Sequence, residues 1–433
     1  MELYNIFKQH SVVCTDSRNC PEGSIFFALH GANFNANTFA LTALKNGCAF
    51  AVVDEVEYAV DERFILVDNV LKSLQDLASY HRKQMNATVI GITGTNGKTT
   101  TKELMASVLM QKYDILFTQG NLNNHIGVPL TLLRLRPEHK IAIIEMGANH
   151  QGEIKALCEI AQPDYGLITN VGKAHLEGFG SFEGVKNAKA ELYAYISLHG
   201  KNIFIDKNNP NLVGMAQKFG FDLRKIQNYC INADLCDGYV KGKITASSPY
   251  LQMECMIDKF DSFRLNTQLV GTYNAENVLA AVLVGDYFGI SMDKIRRGIE
   301  TYFPQNNRSQ LTQTEHNKLL IDAYNANPSS MRAAIQNFKN ADSENKTLIL
   351  GDMFELGDQS FDEHQQIVDL IESYHFDSVY LVGKYFGQVN HSYVSFETTE
   401  ELIQFLKGNP IHDRFILVKG SRGMKLENIL PIL

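Results

Sequence analysis

With 433 residues, 45% of them hydrophobic and 20% charged, the chain is too long for one ordinary core and has the composition of a globular protein of two or three domains. Its net charge of -8 excludes a nucleic-acid binder that relies on a broad basic surface, but not a nucleotide site, which needs only local cations. No apolar run reaches membrane-spanning length, the start Met1–Phe7 has no signal-peptide pattern, and the seven scattered cysteines include no Cys-x-x-Cys pair, so reduced thiols in a cytoplasmic protein are expected rather than a disulfide framework or a zinc site.

Residues 1–84 read as a small α/β unit. Strands are expected at Ser24–Leu29, Cys48–Val53 and Phe64–Val67, and helices at Phe39–Asn46, stopped by Gly47, and from Val70 to Gln84. The unit has no phosphate loop. Taken alone, its polar cluster Thr15-Asp16-Ser17-Arg18 is a turn closed by an Asx-type hydrogen bond.

Residues 85–303 open on the most informative stretch of the chain. The β-branched run Val89–Thr93 leads into Gly94-Thr95-Asn96-Gly97-Lys98-Thr99-Thr100, and a helical pattern follows from Thr101 to Lys112. Backbone N–H groups at such a helix start favour an anion, Lys98 reaches its phosphates, and the Thr99 hydroxyl suits Mg²⁺. Only two residues separate Gly94 from Gly97, against four in the general phosphate-loop pattern, so the loop is a short variant. A Gly-Lys-Thr triplet alone also fits an ordinary βα turn; the flanking strand and helix favour the phosphate cradle. Lys140–Gly147 is a buried strand ending on Glu145, a candidate Mg²⁺ ligand, because ligands of parallel α/β sheets sit at the carboxyl ends of strands. A helix over Gly152–Ala161 and a strand over Tyr165–Gly172 continue the alternation, which implies a mostly parallel sheet. The polar stretch 225–270, with period-2 pieces such as Tyr250–Met256, suggests an antiparallel addition.

Residues 304–433 read as a third α/β unit. Its expected strands, Leu319–Asp322, Thr347–Asp352, Ser378–Gly383 and Phe415–Gly420, each finish near a Gly, Asp or Lys, which gathers polar groups at one sheet edge.

Several runs stand in a telling order: Gly94–Thr100, Asn121–Asn124, Glu145–His150, Thr169–Glu177, Tyr273–Asn277, Asn307–Gln310, Asp322–Ser329 and Lys419–Gly423. Together they resemble the Mur ligases, the ATP-dependent amide ligases of peptidoglycan synthesis, over essentially the whole chain. Within that family, Asp322–Pro328, Gly351–Gly357 and Ala174–Gly180 are similar to the member that adds D-alanyl-D-alanine to UDP-N-acetylmuramoyl-tripeptide. A ligase adding the third stem residue and a folylpolyglutamate synthase-like ligase share the phosphate loop. The Asp322–Ser329 run speaks against the first, and Asp16-Ser17-Arg18 against the second. A phosphate-loop switch protein would have no use for a separate UDP-binding unit.

The resemblance implies three domains: a small N-terminal α/β UDP-binding domain, a central parallel-sheet ATPase domain and a C-terminal Rossmann-like domain. It implies a cytoplasmic, monomeric enzyme with small-molecule substrates and no nucleic-acid or membrane partner. ATP and two Mg²⁺ ions are expected. Gly94, Thr95, Asn96, Gly97, Lys98, Thr99 and Thr100 would cradle phosphate, Asn274 and Asn277 would contact adenine, Arg308 the phosphates and Asp322 the ribose. Taken alone, Asn274 and Asn277 are a helix cap or a polar seam. Thr99 and Glu145 would hold the first Mg²⁺, His175 and a carbamylated Lys189 the second. By themselves, His175 is a surface hydrogen-bonding residue and Lys189 an exposed helix lysine. Ser17 and Arg18 would contact the uridine diphosphate, Asn123 and Asn124 the sugar or peptide arm. Tyr324, Asn325, Asn327 and Ser329 would lie near the amine substrate, with Lys419, Ser421 and Arg422 on the dipeptide carboxylate. Lys98, His175, Lys189 and Arg308 form the expected catalytic set. One departure stands out: relatives commonly carry Asp-Gly-His or similar where this chain has Asn35-Ala36-Asn37.

Overall fold

The protein is described from a computed structural model, which covers residues 2–232, 236–258, 262–305 and 307–433; Met1 and part of the polar stretch 225–270 lie outside the described residues. Three main sheets follow one another along the chain. The first is parallel and four-stranded, in the order Val13–Cys14, Ile25–Phe27, Phe50–Val53, Phe64–Leu66. The helix Val70–Gln84 begins where expected, with Asn69 accepting the N–H of Lys72 as its cap. It then packs on helices of the central unit, and its Arg82 reaches Asp164 at 3.1 Å.

The second sheet has nine strands. From one edge they run Phe263–Asn266, Gln252–Ile257, Val240–Ala246, Gln227–Ile231, Asn202–Asp206, Tyr165–Ile168, Thr88–Thr93, Ile141–Glu145 and Ile115–Phe117. The strands from Val240–Ala246 to Ile115–Phe117 are parallel, and Gln252–Ile257 and Phe263–Asn266 add in antiparallel fashion, as the alternating pattern suggested. The interior strands are buried on both faces, which is why they read as unbroken apolar runs. One face is covered by Lys98–Leu109, Ala275–Tyr287 and Met292–Glu300, the other by helices that include Glu153–Ala161 and Phe182–His199. Strand order reverses around Thr88–Thr93, which lies between Ile141–Glu145 and Tyr165–Ile168, and a crevice opens at such a switch point.

The third sheet has six strands in the order Gln310–Gln313, Lys318–Asp322, Phe415–Lys419, Lys346–Gly351, Ser378–Val382, Val394–Phe396, parallel except at the first pair. No described helix is long and apolar enough to cross a membrane.

Two expectations change. The helix after the phosphate loop starts at Lys98 and ends at Leu109, so Lys98 and Thr99 form its first turn rather than preceding it. The cysteines are not all reduced: Cys230, on the strand Gln227–Ile231, is disulfide-bonded to Cys236, because the chain doubles back through Gly238 to pair Tyr229 with Val240.

The helix Lys98–Leu109 is seated by close backbone contact. A Cβ on Gly298 would lie 2.8 Å from Val108 Cα and 2.9 Å from the Ser107 carbonyl oxygen. Gly298→Ala is therefore expected to cost about 1–3 kcal/mol despite its better helix propensity. The check is a lowered midpoint in thermal unfolding; an unchanged midpoint would contradict this packing.

Candidate active site

The crevice at the switch point is a cavity of about 720 Å³. The loop Gly94–Gly97 forms its floor. Gly94 has φ +144°, and a Cβ there would sit 2.0 Å from Thr169 Oγ1; Gly97 has φ +78°, and its Cβ would meet Asn277 Oδ1 at 2.6 Å. Both glycines are thus demanded by backbone conformation and by close approach. The strand end Thr169-Asn170 braces the loop. Asn96 N–H donates to Asn170 Oδ1 at 2.9 Å, Asn170 Nδ2 donates back to Asn96 O at 3.1 Å, and Thr169 Oγ1 donates to the same carbonyl at 2.6 Å.

Lys98 is folded over this loop, its ammonium 2.8 Å from Gly94 O and 3.0 Å from Thr95 O. Desolvation pushes its pKa down, with Glu145 opposing the shift. Thr99 Oγ1 donates to Glu145 Oε2 at 3.0 Å, and Asn123 Nδ2 donates to Glu145 Oε1 at 2.8 Å. Glu145 arrives there because Ile92 and Glu145 are register partners at the ends of adjacent parallel strands. A buried hydroxyl beside a buried carboxylate supplies the hard oxygen donors that a small cation such as Mg²⁺ takes, so Thr99 and Glu145 fit the first expected ion.

His175 has φ +50° and pairs through Nδ1 with Glu355 of the third unit, which holds the Glu355 carboxyl below its usual range. Lys189 is not an exposed helix lysine. It is 2% exposed on Phe182–His199, and its ammonium lies 5.4 Å from the Phe179 ring centre. Burial, aided by the Lys98 charge, lowers its pKa to about 7. An imidazole and an amine offer no oxygen, so these two residues fit a second Mg²⁺ only if Lys189 carries an added carboxylate.

The third unit closes over the loop. Asn327 caps the helix Pro328–Asn340 in a reciprocal box with Ser330, and its Nδ2 donates to Asn96 Oδ1 at 2.8 Å. Asn96 Nδ2 donates to Ser329 Oγ at 3.2 Å. The N-termini of Lys98–Leu109, Glu153–Ala161 and Pro328–Asn340 all border the cavity, a field suited to anions. The Arg308 guanidinium carbon stands 3.7 Å over the centre of the Tyr324 ring, and that of Arg422 5.5 Å from the same centre. Asp322 accepts the N–H of Ser309 at 3.2 Å and the Lys419 ammonium at 2.5 Å, because Asp322 and Lys419 are register partners.

Of the expected residues, Thr95 to Thr100, Asn123, Asn124, Glu145, His175, Asn274, Asn277, Arg308, Asp322, Tyr324, Asn325, Asn327, Ser329 and Lys419 line this one cavity. Asn277 Nδ2 donates to Asn274 Oδ1 at 2.8 Å, so the two share a face as their spacing required. Ser17, Arg18, Gly94, Lys189, Ser421 and Arg422 do not line it. Asp16 accepts the N–H of Arg18 at 3.0 Å, which is the turn first read there, and also takes the guanidinium at 2.8 Å. Ser421 is buried and accepts the N–H of Phe354 at 2.9 Å, a bracing role. Asn35 and Asn37 are tied into a network in which Asn37 Nδ2 donates to Asp54 Oδ1 at 2.8 Å and Asn35 Nδ2 to Glu55 Oε1 at 2.7 Å.

Sequence reading missed Glu153, Glu276, Ser309 and Glu355. Glu355 stands inside the Gly351–Gly357 run and Glu276 beside Asn277, so their places were marked although their roles were not. Burial, with Asp206 nearby, lifts the Glu276 carboxyl to about 7.

Comparison with known proteins agrees with this geometry. Residues 92–285 match the Mur ligase middle domain, and residues 307–422 the Mur ligase, glutamate ligase domain. The chain belongs to the Mur ligase family. It is 35% identical to the UDP-N-acetylmuramoyl-tripeptide–D-alanyl-D-alanine ligase of Bacillus subtilis, over 97% of this chain and 92% of that one. The crystal structure of MurF from Acinetobacter baumannii superposes with a TM-score of 0.83 at 31% identity, covering 97% and 92% of the two chains. The MurF ligase of Thermotoga maritima, solved in complex with ADP, gives a TM-score of 0.83 at 25% identity, covering 97% and 96%.

Because a Cβ at Gly94 collides with Thr169, Gly94→Ala is expected to weaken ADP binding by about 100-fold or more, the worth of several lost phosphate hydrogen bonds. Calorimetric titration with ADP checks this, and wild-type affinity in the variant would refute the bracing described.

Proposed function

We propose that this chain joins D-alanyl-D-alanine to UDP-N-acetylmuramoyl-tripeptide at the expense of ATP, giving the UDP-pentapeptide precursor of peptidoglycan. The observation that carries the reading is the shared cavity, with the phosphate loop and the Thr99–Glu145 pair on one side and Arg308, Tyr324, Asn325 and Ser329 on the other. Residues 1–84 hold the UDP-sugar with Ser17 and Arg18, residues 85–303 hold ATP, and residues 304–433 bring the dipeptide. The enzyme works as a cytoplasmic monomer.

The tripeptide carboxylate attacks the γ-phosphate of ATP, releasing ADP and forming an acyl phosphate. The dipeptide amine then attacks that carbonyl, and inorganic phosphate leaves the tetrahedral intermediate. Both partners of the first step are anions, so the site must supply positive charge where charge builds up. Lys98 leaves the loop carbonyls for the β- and γ-phosphates, and Arg308 approaches from the opposite wall. Mg²⁺ held by Thr99 and Glu145, and a second ion held by His175 and modified Lys189, would neutralise phosphate charge when bound. Asn274 and Asn277 face the adenine, and Asp322 the ribose. The contacts Asn96–Asn327 and Asn96–Ser329 support closure of the third unit, which excludes water from a hydrolysable acyl phosphate. Asn123 and Asn124 orient the peptide arm, while Lys419 and Arg422 draw the dipeptide carboxylate.

Lys189 is carbamylated in this reading. Its neutral amine adds to CO₂, forming an N–C bond and releasing one proton, and the low pKa set by burial supplies that neutral amine near pH 7.

Incubation with ATP, Mg²⁺, UDP-N-acetylmuramoyl-tripeptide and D-alanyl-D-alanine should yield UDP-pentapeptide by mass spectrometry. Product from a UDP-dipeptide and a diamino acid instead would overturn the assignment. Lys189→Ala should lose about 100-fold or more of kcat, without recovery in bicarbonate. Wild type in ¹³C-bicarbonate should show a carbamate resonance that the variant lacks; full activity in the variant would remove the carbamate.

A further inference from the structure

The N-terminal unit gathers three cysteines, two of them six residues apart and the third from a later segment. Cys14 ends the strand Val13–Cys14, Cys20 sits in the loop that follows, and Cys48 precedes the strand Phe50–Val53. Their sulfurs all lie within 4.8 Å of one another, and those of Cys14 and Cys48 are 3.6 Å apart. The Ser24 hydroxyl stands 3.6 Å from Cys14 Sγ and 3.3 Å from Cys48 Sγ.

A tetrahedral cation about 2.3 Å from each thiolate holds its sulfur ligands roughly 3.8 Å apart. The three sulfurs are close to that spacing already. Cys14 and Cys48 also pack in an apolar cluster with Phe26, Ala40, Ala51 and Val53, so each alone would be a small core residue. Cys20, partly buried, packs against the same cluster, and the fully buried Ser24 hydroxyl converges with the three sulfurs on one point. Cys20 provides the route to solvent.

We infer that Cys14, Cys20 and Cys48 form a binding site for one soft divalent cation of the Zn²⁺ class, with Ser24 Oγ or a water as fourth ligand. Thiolate donors select such an ion over Mg²⁺, so the site does not compete for the hard cation expected at Thr99 and Glu145. Incoming metal displaces the thiol protons into solvent. Cys20 Sγ also donates to Ser17 O at 3.4 Å and to Asp16 O at 3.7 Å. Metal binding withdraws that donor from the turn carrying Ser17 and Arg18.

The test uses the full-length protein with the Cys230–Cys236 disulfide intact and Cd²⁺ as probe. Wild type should take up one Cd²⁺ per chain, with thiolate-to-metal charge-transfer absorption that Zn²⁺ displaces. Cys20→Ser and Cys48→Ser should each weaken binding by about tenfold or more, whereas Cys236→Ser should keep it. Cys20→Ser removes only a half-exposed thiol, and an unchanged circular dichroism spectrum shows that it folds. Stoichiometry well below one, binding unchanged in both cluster variants, or binding lost with Cys236 would each overturn the site.

Discussion

The chemistry of this protein depends on how one short loop is held. Asn96 is gripped from below through its backbone by Asn170 and Thr169, and from above through its side chain by Asn327 and Ser329. The lower grip is a consequence of the parallel sheet, which brings the ends of the strands Thr88–Thr93 and Tyr165–Ile168 side by side. The upper grip comes from another domain more than two hundred residues away. A single asparagine therefore couples the shape of the phosphate loop to the position of the third unit.

The electrostatics follow from the same placement. Three helix N-termini, Lys98 and Arg308 surround a cavity in a chain whose overall charge is negative. Cationic groups and helix N-termini are thus placed where two anions must meet. Glu145, Glu153 and Glu276 interrupt that field at chosen points. Glu145 with Thr99 is shaped for a hard cation. Glu153 is occupied by the N–H groups of Asn149 and His150 at its helix start.

The N-terminal unit is tied to the rest of the chain by a polar network. Asn35 and Asn37 are bound into a polar network with His30, Asp54 and Glu55, where Asp54 also accepts the N–H of Val70 at the start of the long helix. That network ties the first sheet to the helix leading into the central unit. The three-cysteine cluster lies in the same sheet, on the side of the Asp16–Arg18 turn.

Local order was legible because it is written locally. Alternating strand and helix patterns and the β-branched run before Gly94 announced the α/β units, and the expected strands fell within a few residues of expectation. The spacing of Asn274 and Asn277 announced a shared face. Partnerships that cross the chain were decided only by the tertiary structure. Lys419 meets Asp322 through strand register, and Cys230 meets Cys236, which lies just before the parallel neighbouring strand Val240–Ala246. His175 finds Glu355 because two units dock. Lys189 passes from an apparent surface lysine to a buried, deprotonatable amine because Phe179 and the sheet cover it. Composition and periodicity report on each residue's own few neighbours. A charge buried between elements, or a cluster of thiols drawn from three segments, depends on packing between segments that sequence spacing does not encode.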